Sequence, residues 1–206
     1  MDSREFLEVT LRYGADSARR TLTETPASRL DGLVWARYDK LASTAPQFEN
    51  RTNRGLFIAA VPVVALYKVL REEFSLDQDA ALHLADTMMR DAYAVRLGFF
   101  MKAALNTMYR FPPMRRLMMA QMTKTDEPDG FRFEKRDEPE TLMAFDVHVC
   151  PIVNFAKKHD APEIVPLICR LDDLLAEQLV GIELRRTGTI GMGAERCDFR
   201  YVRSKK

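Results

Sequence analysis

Apolar residues recur at helical intervals through residues 1–125 of the chain. They predict helices over residues 3–25 and 28–42. The longest apolar run, residues 56–67, contains Pro62. We expect a helix to start near this proline, because its fixed φ angle suits the first turn of a helix.

More helix is predicted between residues 75 and 124. Ser75 followed by Gln78 has the spacing of a capping box, which marks the start of a helix. Residues 99–124 are rich in Met and aromatic residues, and the basic side chains among them have no acidic neighbours. Such a segment could contact a membrane surface or a partner helix, although helically spaced methionines more often lie in a core.

Alternation with a period of two begins beyond residue 125, where an acidic stretch, residues 126–140, follows the basic one. Residues 142–149 alternate, which predicts a strand with Asp146, His148 and then Cys150 on one face. The remaining predicted elements are strands over residues 131–135, 182–189 and 196–203 and helices over residues 152–159 and 163–180. The pattern predicts one α+β domain: an amino-terminal helical part (1–125), then a small antiparallel sheet with helices packed on one face (126–206).

Composition and charge exclude several classes of protein. The chain has 206 residues, of which 47% are hydrophobic, so it should fold. Its net charge is +1, so it has no overall positive electrostatic field that would attract nucleic acid. The longest apolar run is shorter than the roughly 20 residues of a membrane span. The three cysteines and the polar opening residues predict reduced thiols in a cytoplasmic protein.

Residues that could carry chemistry concentrate in the last third of the chain. On a regular strand His148 and Cys150 would project from the same face, beside Asp146. A histidine there could hold the cysteine as a thiolate, and either residue could bind a soft metal. The alternative is a buried cysteine that behaves as a small apolar residue beside a hydrogen-bonded histidine.

Two further cysteines have carboxylates nearby in sequence. Asp172 follows Cys169 by about one helical turn, so it could accept a proton or bind a cationic amidine group, unless it is simply exposed. Cys197 and Asp198 are neighbours on a strand, so only one of them can face the same cavity as Cys150. Three thiols with His148 match the ligand count of a zinc site, but no Cys-x-x-Cys spacing supports one.

Several segments in order carry a family resemblance. Residues 62–72 and 75–81 form a helical segment, and the strand ending in Cys150 and the helix with Cys169 and Asp172 follow it. The Arg-Thr-Gly-Thr-Ile turn, Gly193 and the closing Cys-Asp-Phe of residues 197–199 complete the series. Together these pieces resemble the L-2-amino-thiazoline-4-carboxylic acid hydrolase family.

The resemblance implies hydrolytic opening of a cyclic amidine to an N-carbamoyl amino acid by a bacterial-type metabolic enzyme that needs no cofactor. At the matching positions it implies a nucleophile or ligand role for Cys150, Cys169 and Cys197. It implies an amidinium-partner or general-base role for Asp172 and Asp198, and His148 would carry a proton. We predict that Cys150, Asp172, Cys197 and Asp198 converge on one pocket between the sheet and the long helix.

Two other classes compete with the hydrolase. The cysteines in the last third of the chain also resemble those of sensor domains similar to four-vinyl reductases. In a protein of that class the pocket would only bind a small ligand or a metal such as zinc. A structural protein with a thiol-rich core is the third class. The apolar surface of residues 56–122 predicts a homodimer formed through the helical part.

Overall fold

The first half of the chain folds as a set of packed helices. The structure is a computed structural model that describes residues 2–22, 27–96, 99–125 and 127–204. Its helices in this half are α1 (Ser3–Thr21), α2 (Ala27–Ala42), α3 (Arg51–Phe57), α4 (Ala60–Glu72), α5 (Gln78–Arg96), α6 (Phe99–Arg110) and α7 (Pro112–Met122).

An antiparallel sheet with the strand order β1-β2-β4-β3 forms the second half. The strands are β1 (Arg132–Arg136), β2 (Thr141–Val149), β3 (Ile182–Arg185) and β4 (Cys197–Arg203), and α8 (Pro151–Lys158) and α9 (Val165–Ala176) lie between β2 and β3 in sequence. Helices precede a small sheet, and the predicted α+β class is confirmed.

Helix starts differ from the sequence predictions at one place and agree with them at another. Ser75 is not a cap, because its backbone is left-handed with φ of 53°. Asp77 takes that role, and its Oδ1 accepts a hydrogen bond of 2.8 Å from the amide of Ala80. Helix α4 starts at Ala60, so Pro62 lies in its first turn as expected. The predicted end of the first helix near residue 25 lies outside the described residues.

Helix α4 is the centre of the helical half. Its residues from Ala60 to Tyr67 are all buried, and it packs against α2, α5 and α8. The segment Arg51–Glu72 is long and apolar enough to span a membrane by composition, but 72% of its most apolar window is buried inside the protein. This burial is typical of the core helix of a soluble protein.

The Met-rich basic segment forms α6 and α7, which are joined at Phe111. Tyr109 and Met119 are buried in the core, whereas Phe111 and Leu117 are each 54% exposed. The segment therefore closes the core on one side and leaves apolar side chains at the surface. The predicted homodimer stays a prediction.

The outer face of the sheet is held by one buried carboxylate. Asp146 is 1% exposed and lies within 2.7 Å of Arg136, 2.9 Å of Arg200 and 3.2 Å of Arg196. Burial alone would raise the pKa of Asp146, but the hydrogen bonds from Arg200 and Arg136 outweigh burial and lower it. The opposite, inner face is apolar and turns toward the helices.

Close packing of α1 on α5 yields a test of the helical half. A Cβ at Gly14 would lie 2.6 Å from Cβ and 2.9 Å from Cα of Met88, so the two helices would have to separate. We expect Gly14→Ala to lower the free energy of unfolding by roughly 1–3 kcal/mol, measured by urea denaturation. Gly32→Ala is the matched control, because a Cβ there meets nothing within 4 Å and alanine favours helix. Equal stability of the two variants would contradict this packing.

Candidate active site

A cavity of about 560 Å³ lies between the inner face of the sheet and the helices. Its walls come from α1, α3, α5, α6, α7 and α9 and are mostly apolar. Four of the six predicted site residues line it, namely Cys150, Cys169, Asp172 and Cys197. A mostly apolar cavity with a few polar groups is the usual form of a small-molecule site.

Each of these four side chains reaches the cavity through a local feature of the fold. Cys197 begins β4 on the inner face, opposite Val147 of β2, and its Sγ accepts a hydrogen bond of 3.2 Å from the amide of Ile190. Cys150 follows β2 directly and occupies the N-cap position of α8. Cys169 and Asp172 lie about one turn apart on α9.

His148 does not share a face with Cys150, so that prediction is wrong. The alternation ends with β2 at Val149, and the chain turns at Cys150 to begin α8. His148 stays on the outer face, where its Nε2 lies 2.9 Å from Glu134 Oε2. The predicted cysteine–histidine pair and the zinc set that included His148 are therefore not formed.

Asp198 also lies outside the cavity lining, so the predicted four-residue pocket is wrong at this position. Its carboxylate accepts hydrogen bonds from the amides of Thr187 (2.8 Å) and Gly188 (2.9 Å) and from Thr187 Oγ1 (2.7 Å). It fixes the turn after β3. The prediction that only one of Cys197 and Asp198 faces the cavity is confirmed, and that residue is Cys197.

Arg186, at the end of β3, pairs with the acidic residues of α9. Its Nη1 lies 3.3 Å from Asp172 Oδ2, and its Nη2 lies 2.6 Å from Asp173 Oδ1. The guanidinium also lies 5.1 Å from the ring centroid of Phe199, in a cation–π contact, and its side chain is only 11% exposed. Arg186 thus ties the sheet to α9.

Asp172 lies in the interior of the protein, yet part of its side chain is accessible. Its side chain keeps 46% of its accessible area, and we assign that area to the cavity that it lines. Burial raises the pKa of Asp172 to about 6, although the charge of Arg186 opposes the shift. The carboxylate is therefore mostly ionised at pH 7, yet it accepts a proton far more readily than an ordinary aspartate.

The three cysteines are free thiols that burial keeps protonated. Burial raises the pKa of Cys150 to about 11 and that of Cys169 to about 12, and it also raises the pKa of Cys197. The amides of Val153 and Ile152 lower the pKa of Cys150, but burial outweighs them. Burial therefore disfavours a resting thiolate at Cys150 at neutral pH, which was one of the two alternatives that the sequence left open.

Sequence reasoning missed two polar groups of the cavity. Arg186 lies in the Arg-Thr-Gly-Thr-Ile turn that carried the family resemblance, but its pairing with Asp172 is a long-range contact. The hydroxyl of Tyr93, on α5, is buried and has no hydrogen-bond partner among the described residues. Tyr93 lines the cavity, but its hydroxyl oxygen is enclosed by neighbouring atoms, so a ligand reaches it only if the side chain turns toward the cavity. Only its place on a predicted helix was visible in the sequence.

A glycine brings the turn before β4 against α9. A Cβ at Gly191 would lie 2.5 Å from Cγ1 of Val165 and 3.4 Å from Sγ of Cys169. Any larger residue would push the turn away from the helix. Gly191 therefore lets the turn lie against α9 beside Cys169, and the amide of the preceding residue, Ile190, donates to Cys197 Sγ.

Comparison with known proteins identifies a family. The family model described as L-2-amino-thiazoline-4-carboxylic acid hydrolase matches residues 53–201, which include α8, α9, the sheet except the last two residues of β4, and the residues from α9 and the sheet that line the cavity. No curated protein matches the chain significantly, and no solved structure does.

The raised thiol pKa values predict slow alkylation. At pH 7.5 we expect Cys150 and Cys169 to react with iodoacetamide at least about tenfold more slowly in the folded protein than after unfolding in guanidinium chloride. The rates would be followed by peptide mass spectrometry. Folded-state rates equal to those of the unfolded chain would show that a thiolate forms in the cavity.

Proposed function

The chain belongs to the L-2-amino-thiazoline-4-carboxylic acid hydrolase family, and on that premise we propose that it hydrolyses a small cyclic amidine such as 2-amino-thiazoline-4-carboxylate. The observation that carries the proposal is Asp172, a cavity-facing carboxylate with a pKa of about 6 that is held by Arg186. A general base works best when its pKa lies near the working pH.

Ring opening begins with addition of water. Asp172 accepts a proton from water while the water oxygen bonds to the ring carbon between nitrogen and sulfur. The double-bond electrons of the amidine move to nitrogen, and a tetrahedral intermediate forms. We propose that Tyr93 turns its hydroxyl, which lacks a partner among the described residues, toward the cavity and donates a hydrogen bond to a polar atom of the ring.

Collapse of the intermediate completes the reaction. The hydroxyl proton passes to the ring nitrogen, the carbon–oxygen double bond forms, and the carbon–sulfur bond breaks with its electron pair going to sulfur. The proton held by Asp172 passes to that sulfur. The product is an N-carbamoyl amino acid with a free thiol, and one water is consumed. A carboxyl group with a pKa of about 6 can protonate a thiolate, because free thiols have pKa values of roughly 8.5.

In this proposal Arg186 and Asp198 act indirectly, through the residues that they hold in place. Arg186 is a positioning residue that orients the Asp172 carboxylate and limits the rise of its pKa. Asp198 holds the turn that follows Arg186 through its bonds to Thr187 and Gly188. The three thiols line the cavity as neutral donors, and one of them would become a nucleophile only if Asp172 first took its proton.

We further propose that the reaction needs no metal. Among the described residues, three side chains that could together hold a metal ion are Glu134, Asp146 and His148, whose ligand atoms lie within 4.8 Å of one another. They lie on the outer face of the sheet. Asp146 is already bound there by arginines. Turnover that persists in a chelator supports this point, and loss of turnover that zinc restores would make the cavity cysteines ligands.

A non-catalytic ligand-binding role is the second candidate. It is favoured by the apolar walls of the cavity and by thiols that stay protonated. Calorimetric binding of cyclic amidines without any turnover by the folded protein would support this role instead. The absence of nucleic-acid binding and the cytoplasmic location stay predictions.

The role of Asp172 is tested by Asp172→Asn. We expect kcat to fall at least about 100-fold, because the variant cannot accept the proton of water. In the unchanged protein kcat/KM should fall below a pH of about 6, where protonation of Asp172 removes the base, and the variant should lose this acidic limb. Initial rates of thiol release between pH 4.5 and 9 measure both effects.

Asp173→Asn is the matched control, because Asp173 bonds the same arginine but does not line the cavity. We expect it to keep kcat within about tenfold. If Asp172→Asn kept its activity while Cys150→Ala, Cys169→Ala or Cys197→Ala abolished it, the general-base role would be wrong. A covalent adduct trapped on that cysteine would then identify a thiol nucleophile.

A further inference from the structure

The cavity is larger than the ring in the family's name requires. Pockets of roughly 300–1,000 Å³ hold drug-sized ligands, and this one measures about 560 Å³. An amino-thiazoline with one carboxylate is much smaller than a drug-sized molecule. If the ring occupies the space beside Asp172, most of the cavity is left for another part of the substrate.

The Asp172–Arg186 pair and the β1 end of the cavity lie on opposite sides of Cys197, although Thr10 and Thr52 also line the cavity. Cys197 on β4 pairs with Val147 on β2, which pairs with Phe133 on β1, so these three residues form one row across the sheet. Neighbouring strands lie about 4.8 Å apart, which places Phe133 roughly 10 Å from Cys197. Arg186 and Asp172 lie beyond Cys197, on the side of β3 and α9.

The side toward β1 is lined by apolar groups. Phe131 and Phe133 stack there with ring centroids 5.9 Å apart, and Phe133 contacts Phe145 edge-on. Helices α1, α3 and α7 contribute apolar residues to the same cavity, among them Phe6, Val9, Leu56, Met118 and Met122. We assign these seven residues (Phe6, Val9, Leu56, Met118, Met122, Phe131 and Phe133) to one part of the cavity, on the side toward β1, and call that part the apolar chamber.

The cavity reaches the surface through apolar side chains. Leu56 on α3 is 38% exposed and Met101 on α6 is 50% exposed, and both line the cavity. Gly55 lies beside Leu56, and a Cβ there would meet nothing within 4 Å. An opening with apolar walls favours entry of an apolar group over entry of a small, charged ring.

We propose that the natural substrate is an amphiphilic cyclic amidine, whose ring lies beside Asp172 and whose apolar tail of about eight carbons fills the apolar chamber. This inference rests on the proposed function for the ring and adds the class of its substituent. Tail burial stabilises the complex without touching the reacting atoms. It also excludes water from the ring, apart from the water that reacts.

Two matched substrates test the tail. They are the 2-amino-thiazoline-4-carboxylate ring with a methyl or an octyl group on the carbon next to sulfur, so that charge and reacting atoms are the same. We expect kcat/KM for the octyl compound to exceed that for the methyl compound at least about 100-fold, since each buried methylene favours binding about threefold. Equal values would overturn the inference and leave the proposed function standing.

A variant locates the tail. Gly55→Phe should lower the octyl-to-methyl ratio of kcat/KM at least about tenfold by filling the chamber beside Leu56. Gly32→Phe, at a helix glycine with similar open space that does not line the cavity, should keep the ratio. An unchanged ratio in Gly55→Phe would place the tail elsewhere and overturn the assignment of the chamber.

Direct binding separates this inference from the proposed reaction. The aromatic 2-aminothiazole counterparts of both compounds resist addition of water, so their dissociation constants can be measured by calorimetry. We expect the octyl compound to bind at least about 100-fold more tightly than the methyl compound. Tight, tail-dependent binding together with no turnover of the thiazolines would overturn the hydrolase proposal but support the chamber, whereas tail-independent binding would overturn the chamber.

Discussion

The pairing of Arg186 with the acidic residues of α9 joins the two layers that form the site. Arg186 directly follows β3, and Asp172 and Asp173 lie on the helix that covers the inner face of the sheet. Without a cation at this point, a carboxylate facing an apolar cavity would be strongly disfavoured in its charged form. With it, Asp172 stays ionised at neutral pH while its pKa remains high enough for proton transfer.

Burial acts on the other titratable groups of the cavity in a consistent direction. It raises the pKa of each cysteine and of Tyr93, so these groups are neutral hydrogen-bond donors at pH 7. Asp172 is the carboxylate among the described lining residues, and Arg186 is the cation. The cavity therefore combines one proton acceptor with several neutral donors, which suits addition of water to a carbon–nitrogen double bond better than attack by a resting thiolate.

The two faces of the sheet have different roles because successive side chains of β2 and β4 point to opposite faces. Asp146 and Arg200 point outward and form a network that holds the strands, whereas Phe145 and Phe199 stack inward with ring centroids 4.8 Å apart. This alternation placed Cys197 in the cavity and Asp198 outside it, whereas the sequence pattern indicated only that one of the two would face the cavity. The prediction from alternation was wrong for Cys150, because the alternation stops at the end of β2. Cys150 follows the strand and occupies the N-cap position of α8.

The sequence alone determined the class of fold, most helices and strands to within a few residues, the family, and the presence of Cys150, Cys169, Asp172 and Cys197 as candidate groups. These depend on local periodicity and on ordered motifs, which a single chain displays directly. The pairing of Arg186 with Asp172, the free hydroxyl of Tyr93, the removal of His148 and Asp198 from the site, and the protonation of the thiols were decided by tertiary structure. Each of these depends on contacts between distant segments and on the degree of burial they produce, and no local pattern encodes either.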